Sequence, residues 1–290
     1  LCASPIPSQG KLHFPCAALQ LSFCGSRLVP KCAALRTKTE SKTEYDSRPF
    51  NKSYLAGRSF CLGVIPIPCP HFKISIVKRS QGQSAVAGAA YQSGERLFSE
   101  YDQKTKFYNK KKELVHAEIM LPPHASPGYA DRATLWNAVE AVENQWNSQL
   151  ARRIVLAFPV EVPKEQYLKM IREFCKEQFV AKGMIADFAI HDKGDGNPHA
   201  HILLTLRAMD EHGKWLPKAR KVYDLDENGE RIQLPSGNWK CHKENTVDWN
   251  DQKYAEVWRH GWETITNRYL EAAGRPERVD LRSFERQGIQ

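Results

Sequence analysis

The chain has 290 residues, of which 41% are hydrophobic and 26% are charged, and it carries a formal net charge of +9. This length allows one large or two small domains, and the apolar fraction is sufficient for a hydrophobic core. No apolar run approaches the roughly 20 residues of a membrane-spanning helix, so the sequence excludes that class and predicts a soluble protein.

The first quarter of the chain differs in composition from the rest. Residues 1–70 contain nine Lys and Arg and three Asp and Glu, so +6 of the net charge of +9 lies there, together with six of the eight cysteines. They show no sustained strand or helix period and no C-x2-C pair, which argues against a small zinc or disulfide module. We expect residues 1–70 to be a disordered or extraneous extension and residues 71–290 to form the functional domain, with a C-terminal truncation left open.

The first predicted elements are a strand and a short helix that carries a tyrosine. Residues 72–78 alternate apolar and polar side chains, as in a half-buried strand. Ser84 is a good N-cap for a helix of small residues over 85–92, and a second helical piece is expected over 95–100. Small side chains let a ligand approach closely, so Tyr91 is a candidate functional residue, with a tyrosine packed on the sheet as the alternative.

A basic stretch with interleaved aromatic residues follows at 104–112, and we predict that it forms a hairpin with residues 115–121. Lysines beside Phe107 and Tyr108 suit contact with a DNA backbone and stacking of a base, although a solvated edge explains the same pattern equally well. The candidate DNA-contacting residues are Lys78, Arg79, Lys104, Lys106, Lys110, Lys111 and Lys112.

Hydrophobic periodicity predicts three longer helices and a buried strand in the remaining body. The helices are expected over residues 129–149, 164–182 and 250–273, and Gly274 is a suitable stop for the last. The predicted buried strand covers residues 153–158.

Residues 183–207 consist of two apolar runs separated by a loop rich in Asp, Gly, Asn and Pro, which predicts a β-hairpin. Because side chains two residues apart in a strand point to the same face, His199 and His201 are expected to project together. His191, at the end of the partner strand, is expected to converge on them. The alternative is a set of surface histidines beside a turn.

The predicted strands cover residues 72–78, 153–158, 184–191 and 199–206. Because most of them are connected through helices, we predict an α+β fold with an antiparallel central sheet and helices packed mainly on one face. The face that carries the histidines would then remain open to a single strand of DNA.

Three imidazoles on one face are typical of a metal site with an open coordination position. No carboxylate is needed in such a ligand set, so the charge of the ion remains available to an anionic ligand such as a phosphodiester. We favour Mg or Mn as the divalent ion, and Zn and Ni are compatible with imidazole ligands.

Two motifs, in this order, carry a resemblance to a known family. The first is GQSA running to AAYQSGER, over residues 82–96, and the second is IHD running to GNPHAH, over residues 190–201. Together they resemble the MobA/MobL family of plasmid mobilisation relaxases, within the class of HUH single-strand endonucleases. The resemblance covers roughly residues 70–290.

The resemblance implies a role for each candidate residue. Tyr91 matches the catalytic tyrosine of the family, and the three histidines match its metal ligands. The implied reaction is site-specific and strand-specific nicking of DNA through a 5′-phosphotyrosyl intermediate. The family pattern also carries a glutamate near Arg153, where this chain is basic, and Asp187 is a possible acidic substitute because it lies four residues before His191 on the same strand face.

The resemblance further implies partners and a location. The expected partner is single-stranded DNA at a plasmid transfer origin, with accessory mobilisation proteins and a secretion-channel coupling protein as further candidates. A bacterial cytoplasmic location agrees with the low cysteine content beyond residue 70, which favours a reducing compartment.

Three other functions remain open on the sequence. A rolling-circle replication initiator of the HUH class uses related chemistry, but initiators more often carry the tyrosine after the histidines, whereas Tyr91 precedes them. A zinc-type hydrolase would use the three histidines alone, with Tyr91 structural, and a non-catalytic DNA-binding fragment would use neither. The sequence contains no GxxxxGK[ST] loop, so no nucleotide cofactor is expected.

Overall fold

The computed structural model describes residues 71–109, 112–282 and 286–288. The predicted extension over residues 1–70 and the basic candidates Lys110 and Lys111 lie outside these residues. The described strands are β1 Phe72–Lys78, β2 Leu97–Ser99, β3 Lys104–Lys106, β4 Leu114–Met120, β5 Gln149–Ala157, β6 Ala186–His191, β7 His199–Leu204, β8 Ala219–Tyr223 and β9 Cys241–Asn245. The α-helices are α1 Ala85–Ser93, α2 Arg132–Val142, α3 Tyr167–Gln178 and α4 Lys253–Ala272.

A five-stranded sheet in the order β1-β5-β7-β6-β4 forms the centre of the described fold. Each neighbouring pair of its strands is antiparallel. The hairpin of β6 and β7 lies inside the sheet, with β5 on one side and β4 on the other. The predicted α+β class with an antiparallel central sheet is therefore confirmed.

Alternation along the strands gives the sheet two different faces. Ile202 and Leu204 of β7 pack into one hydrophobic core, whereas Leu203 packs into another on the opposite side. His199 and His201 share the face of Leu203, because side chains two residues apart point the same way. We call this side the histidine face.

The larger core lies on the other face, under the two longest helices. α3 and α4 contribute Phe174, Trp258 and Trp262, each at most 2% exposed. The rings of Phe174 and Trp262 meet edge to face, with centroids 5.3 Å apart. Burying one such side chain stabilises a fold by about 1.5–3 kcal/mol, so these contacts fix α3 and α4 on the sheet.

The shorter helices α1 and α2 lie on the histidine face. α1 contacts β4, β6 and β7, and α2 packs Leu135 and Trp136 into the core shared with α1. The prediction that helices pack mainly on one face holds for the two longest ones. The histidine face is only partly open, because α1 and α2 cover one side of it.

Two predicted elements differ from the structure around residue 146. The helix expected over 129–149 ends at Val142, and β5 begins at Gln149 rather than Arg153. Leu150 and Ala151 are fully buried in β5, so pairing within the sheet outweighs the helical pattern of this segment. Trp146, which was expected on the apolar side of the helix, is 74% exposed.

The predicted hairpin of residues 104–112 with residues 115–121 is wrong. β3 pairs instead with β2, where a second helical piece was expected, and β4 pairs with β6 in the central sheet. The partner of β4 is distant in the sequence, and the partner of β3 lies in a segment that was expected to be helical. Only the tertiary fold determines these two pairings.

An exposed antiparallel pair, β8 with β9, extends from the polar region that follows β7. All five residues of β9 are exposed, and this pair was not predicted, because its side chains show no buried face. In the described part of the chain, no helix combines the length and the apolar character that crossing a membrane requires.

Candidate metal centre and active site

Three histidine side chains converge on the histidine face, where β6 and β7 pair. His191 lies directly opposite His199 in the ladder, and His201 follows two residues later on the same face. The ring centroids are 5.5 Å apart for His191 and His199, 4.9 Å for His191 and His201, and 5.1 Å for His199 and His201. The convergence expected from the spacing of the three residues is therefore present.

Backbone carbonyls fix the tautomers of two of these rings. His191 Nε2 donates to the carbonyl oxygen of Gln92 at 2.7 Å, and His199 Nδ1 donates to that of Asn197 at 2.9 Å. A carbonyl oxygen only accepts, so the neutral rings carry their lone pairs on His191 Nδ1 and His199 Nε2. This pattern, in which the second nitrogen is held by a hydrogen bond, is typical of metal-ligating histidines.

Burial disfavours the charged form of two histidines at this site, His199 and His71. Burial lowers the pKa of His199, the Asn197 carbonyl opposes that shift, and the charge of Lys193 adds to it. Burial also lowers the pKa of His71, and the nearby charges of Lys73 and His199 act in the same direction. Neutral imidazole is the form that binds a metal ion.

The three residues fit a divalent ion. One nitrogen from each ring lies within 4.8 Å of the others, so one ion could be shared by the three rings once they close to metal–nitrogen bonds of about 2.0–2.1 Å. His191 is buried, whereas His199 and His201 are partly accessible from the open side. This accessibility leaves room for an anionic ligand beside the three nitrogens.

Tyr91 lies next to this site, at the C-terminal end of α1. Its ring meets the ring of His201 edge to face, with centroids 5.8 Å apart. On its other side it contacts Tyr108, at 5.6 Å between centroids. Tyr91 is half-buried, so the small residues of α1 bring a phenol close to the histidines, as the sequence suggested.

Gln92 connects α1 to β6, the strand of His191, in two ways. Its carbonyl oxygen accepts from His191, and its side-chain Nε2 donates to the backbone oxygen of Asp187 at 3.0 Å. Because Gln92 follows Tyr91 directly, these bonds fix the end of the helix that carries the phenol. Sequence reasoning assigned Gln92 no role, although this residue lies within the first family motif.

Asp187, the possible acidic helper, lies on the same strand face as His191, as expected, but it forms a buried ion pair there. It is fully buried, and its oxygens accept from Arg132 Nε at 2.9 Å and from Trp136 Nε1 at 2.8 Å. Burial raises the pKa of Asp187, and the Arg132 guanidinium opposes that rise. Burial also disfavours the charge of Arg132, but the carboxylates of Asp187 and Glu95 outweigh it and raise its pKa. We therefore assign Asp187 a positioning role as an ionised partner of Arg132.

A second buried carboxylate anchors the other end of α1. Glu140 of α2 accepts from Ser84 Oγ at 2.7 Å and from the backbone amides of Ala85 at 2.6 Å and Val86 at 3.2 Å. The predicted N-cap is also present, because Ser84 Oγ accepts from the amide of Ala87 at 3.1 Å. An anion at a helix N-terminus satisfies amides that the helix leaves unpaired.

Arg79 is corrected from a candidate DNA contact to a structural residue. It is 8% exposed, and its guanidinium donates to the carbonyl oxygens of Glu140 and Glu143 at 3.0 Å each, at the end of α2. It also lies 3.7 Å from the ring centroid of Tyr101. The C-terminal carbonyls of a helix attract a cation, which explains this burial.

The other described lysines of that set keep their DNA-contacting role as a prediction. Lys104 and Lys112 are exposed, whereas Lys78 is half-buried. Lys106 is half-buried and forms an ion pair with Asp102. Because β3 contacts α1, Lys104 and Lys106 belong to the same side of the fold as Tyr91.

Tyr108 is the neighbour that sequence reasoning missed. It was predicted to be in a basic stretch, as a stacking residue, without any link to Tyr91. It lies 17 residues after Tyr91 in the chain, and no spacing rule connects a helix end to a loop after β3. The family motif around Tyr91 could have identified Gln92 as a residue of the site. No motif includes Tyr108.

Fold and site together define an α+β protein with a trihistidine centre and a tyrosine beside it. Residues 83–290 match the MobA/MobL family. The conjugal transfer protein TraA of Agrobacterium fabrum is 37% identical over 232 residues, which cover 76% of this chain and 20% of that protein. The probable mobilization protein MobA of Bifidobacterium longum is 35% identical and covers 75% of this chain and 41% of its own length.

A solved structure is also similar. The chain from "Molecular Basis of Vancomycin Resistance Transfer in Staphylococcus aureus" is 33% identical, with a TM-score of 0.62, over 74% of this chain and 98% of that one. This chain belongs to the MobA/MobL family. It spans about a fifth of the length of the TraA protein that it matches.

Proposed function

We propose that the domain that begins near residue 71 is a relaxase, which nicks one strand of plasmid DNA at a transfer origin and so initiates conjugative mobilisation. The observation that carries the proposal is the position of Tyr91, whose ring lies 5.8 Å from that of His201 in the trihistidine centre. Membership of the MobA/MobL family supports it. Relatives named as a conjugal transfer protein and a probable mobilization protein support the assignment to conjugative mobilisation.

His191, His199 and His201 would hold the divalent ion, with Mg or Mn favoured over Zn or Ni. When bound, such an ion supplies positive charge that neutralises and polarises the scissile phosphate. The histidines contribute neutral nitrogens in fixed tautomers, and Gln92 and Asn197 hold two of the rings in place. This charge is what a phosphodiester requires before a nucleophile can approach it.

Tyr91 would be the nucleophile. Its Oη attacks the scissile phosphorus, a new phosphorus–oxygen bond forms, and the bond to the 3′-oxygen breaks. The phenol releases its proton to solvent, and the departing 3′-oxygen takes one up. The products are a 5′-phosphotyrosyl strand and a free 3′-hydroxyl. Because the phosphotyrosyl bond preserves a phosphodiester linkage, the 3′-hydroxyl can reverse the step and reseal the nick.

The proposal includes the context of the reaction. Single-stranded DNA at the origin is the substrate, and accessory mobilisation proteins and a secretion-channel coupling protein are the proposed partners. The proposed location is the bacterial cytoplasm, where such DNA is available. These parts rest on the family and not on any contact in the fold.

The test is covalent capture of DNA by the purified chain. The protein is incubated with Mn²⁺ and a labelled pool of random single strands, and adducts that survive denaturing electrophoresis are recovered and sequenced. The expected result is one enriched sequence joined to the protein in wild type, and no adduct in Tyr91→Phe.

A matched control is available at the neighbouring tyrosine. Tyr108→Phe retains the ring that contacts Tyr91 and should retain the adduct, so the pair of variants identifies the nucleophile. An adduct in Tyr91→Phe would contradict the assignment. Metal-dependent ester hydrolysis without any DNA adduct would instead support the hydrolase alternative.

A further inference from the structure

The register of the sheet aligns the histidines with residues of the edge strand. His201 lies opposite Val155 of β5, which lies opposite Lys73 of β1. One step along, Leu203 lies opposite Arg153, which lies opposite Ser75. Directly opposed residues in an antiparallel sheet point to the same face. Lys73, Ser75, Val155 and Arg153 therefore belong to the histidine face.

His71 extends this alignment at the other end. Its carbonyl oxygen accepts from the amide of Ala157, which lies opposite His199. By alternation with Lys73, the side chain of His71 belongs to the same face of the sheet. We call His71, Lys73, Ser75 and Arg153 the edge shelf.

The edge shelf is polar, basic and reachable from solvent. Lys73 is exposed, and the other three residues are half-buried. The shelf spans β5 and β1, and α1 packs on the far side of the centre, against β4, β6 and β7. The shelf is continuous with the trihistidine centre, because adjacent strands are about 4.8 Å apart and β1 is two strands from β7.

The direction of attack decides which part of the DNA meets this surface. In phosphoryl transfer the attacking and leaving oxygens lie roughly in line through phosphorus. Tyr91 belongs to α1, which packs on β4, β6 and β7. Attack from that side would direct the departing 3′-oxygen towards β5 and β1, where Lys73 and Arg153 place two cations.

We propose that the edge shelf binds the phosphates of the DNA strand that ends in the 3′-hydroxyl, immediately beside the scissile phosphate. This inference rests on the proposed function and adds to it a binding site for the leaving strand. Lys73 and Arg153 contact the phosphates, and His71 and Ser75 offer hydrogen bonds to the sugar or phosphate oxygens. Holding the 3′-hydroxyl end near Tyr91 keeps it available for resealing.

The first experiment measures phosphate contacts without cleavage. The 290-residue chain with Tyr91→Phe is titrated with a labelled oligothymidylate of about 16 nucleotides at several salt concentrations, and binding is followed by fluorescence anisotropy. The slope of log K against log salt is negative, and each phosphate contact that is lost reduces its magnitude by about 0.7 for a single strand. We expect this decrease for Lys73→Ala and again for Arg153→Ala.

Two further variants make the result specific. Arg153→Lys keeps the charge and should keep the slope of the parent. Lys169→Ala removes an exposed lysine of α3, on the other face of the sheet, and should also leave the slope unchanged. Because Lys73 is exposed, its removal does not threaten folding. Unchanged slopes in both alanine variants would overturn the edge shelf as a DNA site.

The second experiment tests on which side of the nick the edge shelf binds the DNA strand. With a strand that wild type cleaves, labelled on the 3′-hydroxyl side, the release of that fragment is followed after adduct formation. We expect faster release from Lys73→Ala and Arg153→Ala than from wild type. Changed salt slopes with unchanged release would overturn the assignment of the edge shelf to the strand that ends in the 3′-hydroxyl. If wild type forms no adduct at all, the proposed function fails, and the salt slopes still decide whether the edge shelf binds DNA.

Discussion

At the scale of single residues, an ionised network around Asp187 lies beside the trihistidine centre. Asp187 is fully buried on β6, four residues before His191 and on the same strand face. Its carboxylate accepts from Arg132 and Trp136 of α2, and its backbone oxygen accepts from the side chain of Gln92 in α1. One residue therefore joins both helices of the histidine face to the strand that supplies the first histidine.

Asp187→Ala should destabilise the fold strongly. The change leaves the Arg132 guanidinium buried without its main partner, and breaking a buried pair in this way costs roughly 3–5 kcal/mol. The free energy of unfolding, measured by urea titration monitored through tryptophan fluorescence, gives the value.

A matched comparison uses the other carboxylate on the same arginine. The side chain of Glu95 is 48% exposed in its ion pair with Arg132, so Glu95→Ala should cost no more than about 1 kcal/mol. Equal losses in the two variants would show that burial of Asp187 is not what makes its pair important.

At the scale of elements, α1 is the part that brings Tyr91 to the histidines. It is a nine-residue helix held at its N-terminus by Glu140 and at its C-terminus by Gln92. A helix this short is marginal by itself, so its position depends on these tertiary contacts. Both anchors come from residues far apart in the chain.

Glu140→Ala should loosen α1 and cost roughly 3–5 kcal/mol, because it leaves buried amides and the Arg79 guanidinium without their carboxylate. Glu140→Gln keeps an acceptor oxygen for the helix amides and should lose less. Thermal and urea unfolding, with hydrogen exchange of residues 85–93, reports both the stability and the place of the effect.

An ordinary helix cap provides the control for this prediction. Asp131 accepts from the amide of Thr134 at 2.8 Å at the start of α2 and is exposed, so Asp131→Ala should cost about 1 kcal/mol. If Glu140→Ala proved no more costly than Asp131→Ala, α1 would be held mainly by its small apolar side chains.

At the scale of the whole molecule, the two faces of the central sheet have different roles. One carries α3, α4 and the larger core, and it supplies stability. The other carries the histidines, Tyr91 and the edge shelf. A ligand that binds the centre must stabilise the entire fold, since the three nitrogens come together only in the folded chain.

Mn²⁺ at about 100 times its Kd should stabilise the protein by about 2.7 kcal/mol, and His201→Ala should lose that gain. Protons compete with the metal, but burial holds the pKa of His199 below its ordinary value of 6.5. The unfolded chain therefore takes up its proton first, and stability falls as the pH decreases through 6.5.

Thermal unfolding between about pH 7.5 and about pH 5.5, with and without Mn²⁺, measures both effects. The stabilisation by Mn²⁺ should persist near neutral pH and decline at the acidic end. An equal gain in wild type and His201→Ala would place the ion at another site.

Several elements were predictable because their signals are local. β1, α1, α4 and the β6–β7 hairpin follow from periodicity, caps and turn residues that lie within each segment. The segments that failed were those whose partners lie elsewhere. β5 extends back to Gln149 because β1 pairs with it there, and β2 pairs with β3 only once α1 has ended at Gly94.

The sequence by itself determined the family, the α+β class and the set of three histidines, because the order of the motifs and the two-residue period of a strand can be recognised without the fold. The tertiary structure decided which groups surround them. Arg79 and Asp187 became buried anchors, Gln92 and Tyr108 became neighbours of the centre, and Arg153 took its place on the edge shelf. Charge and size are properties of a residue, but burial and partners arise only when distant segments pack together.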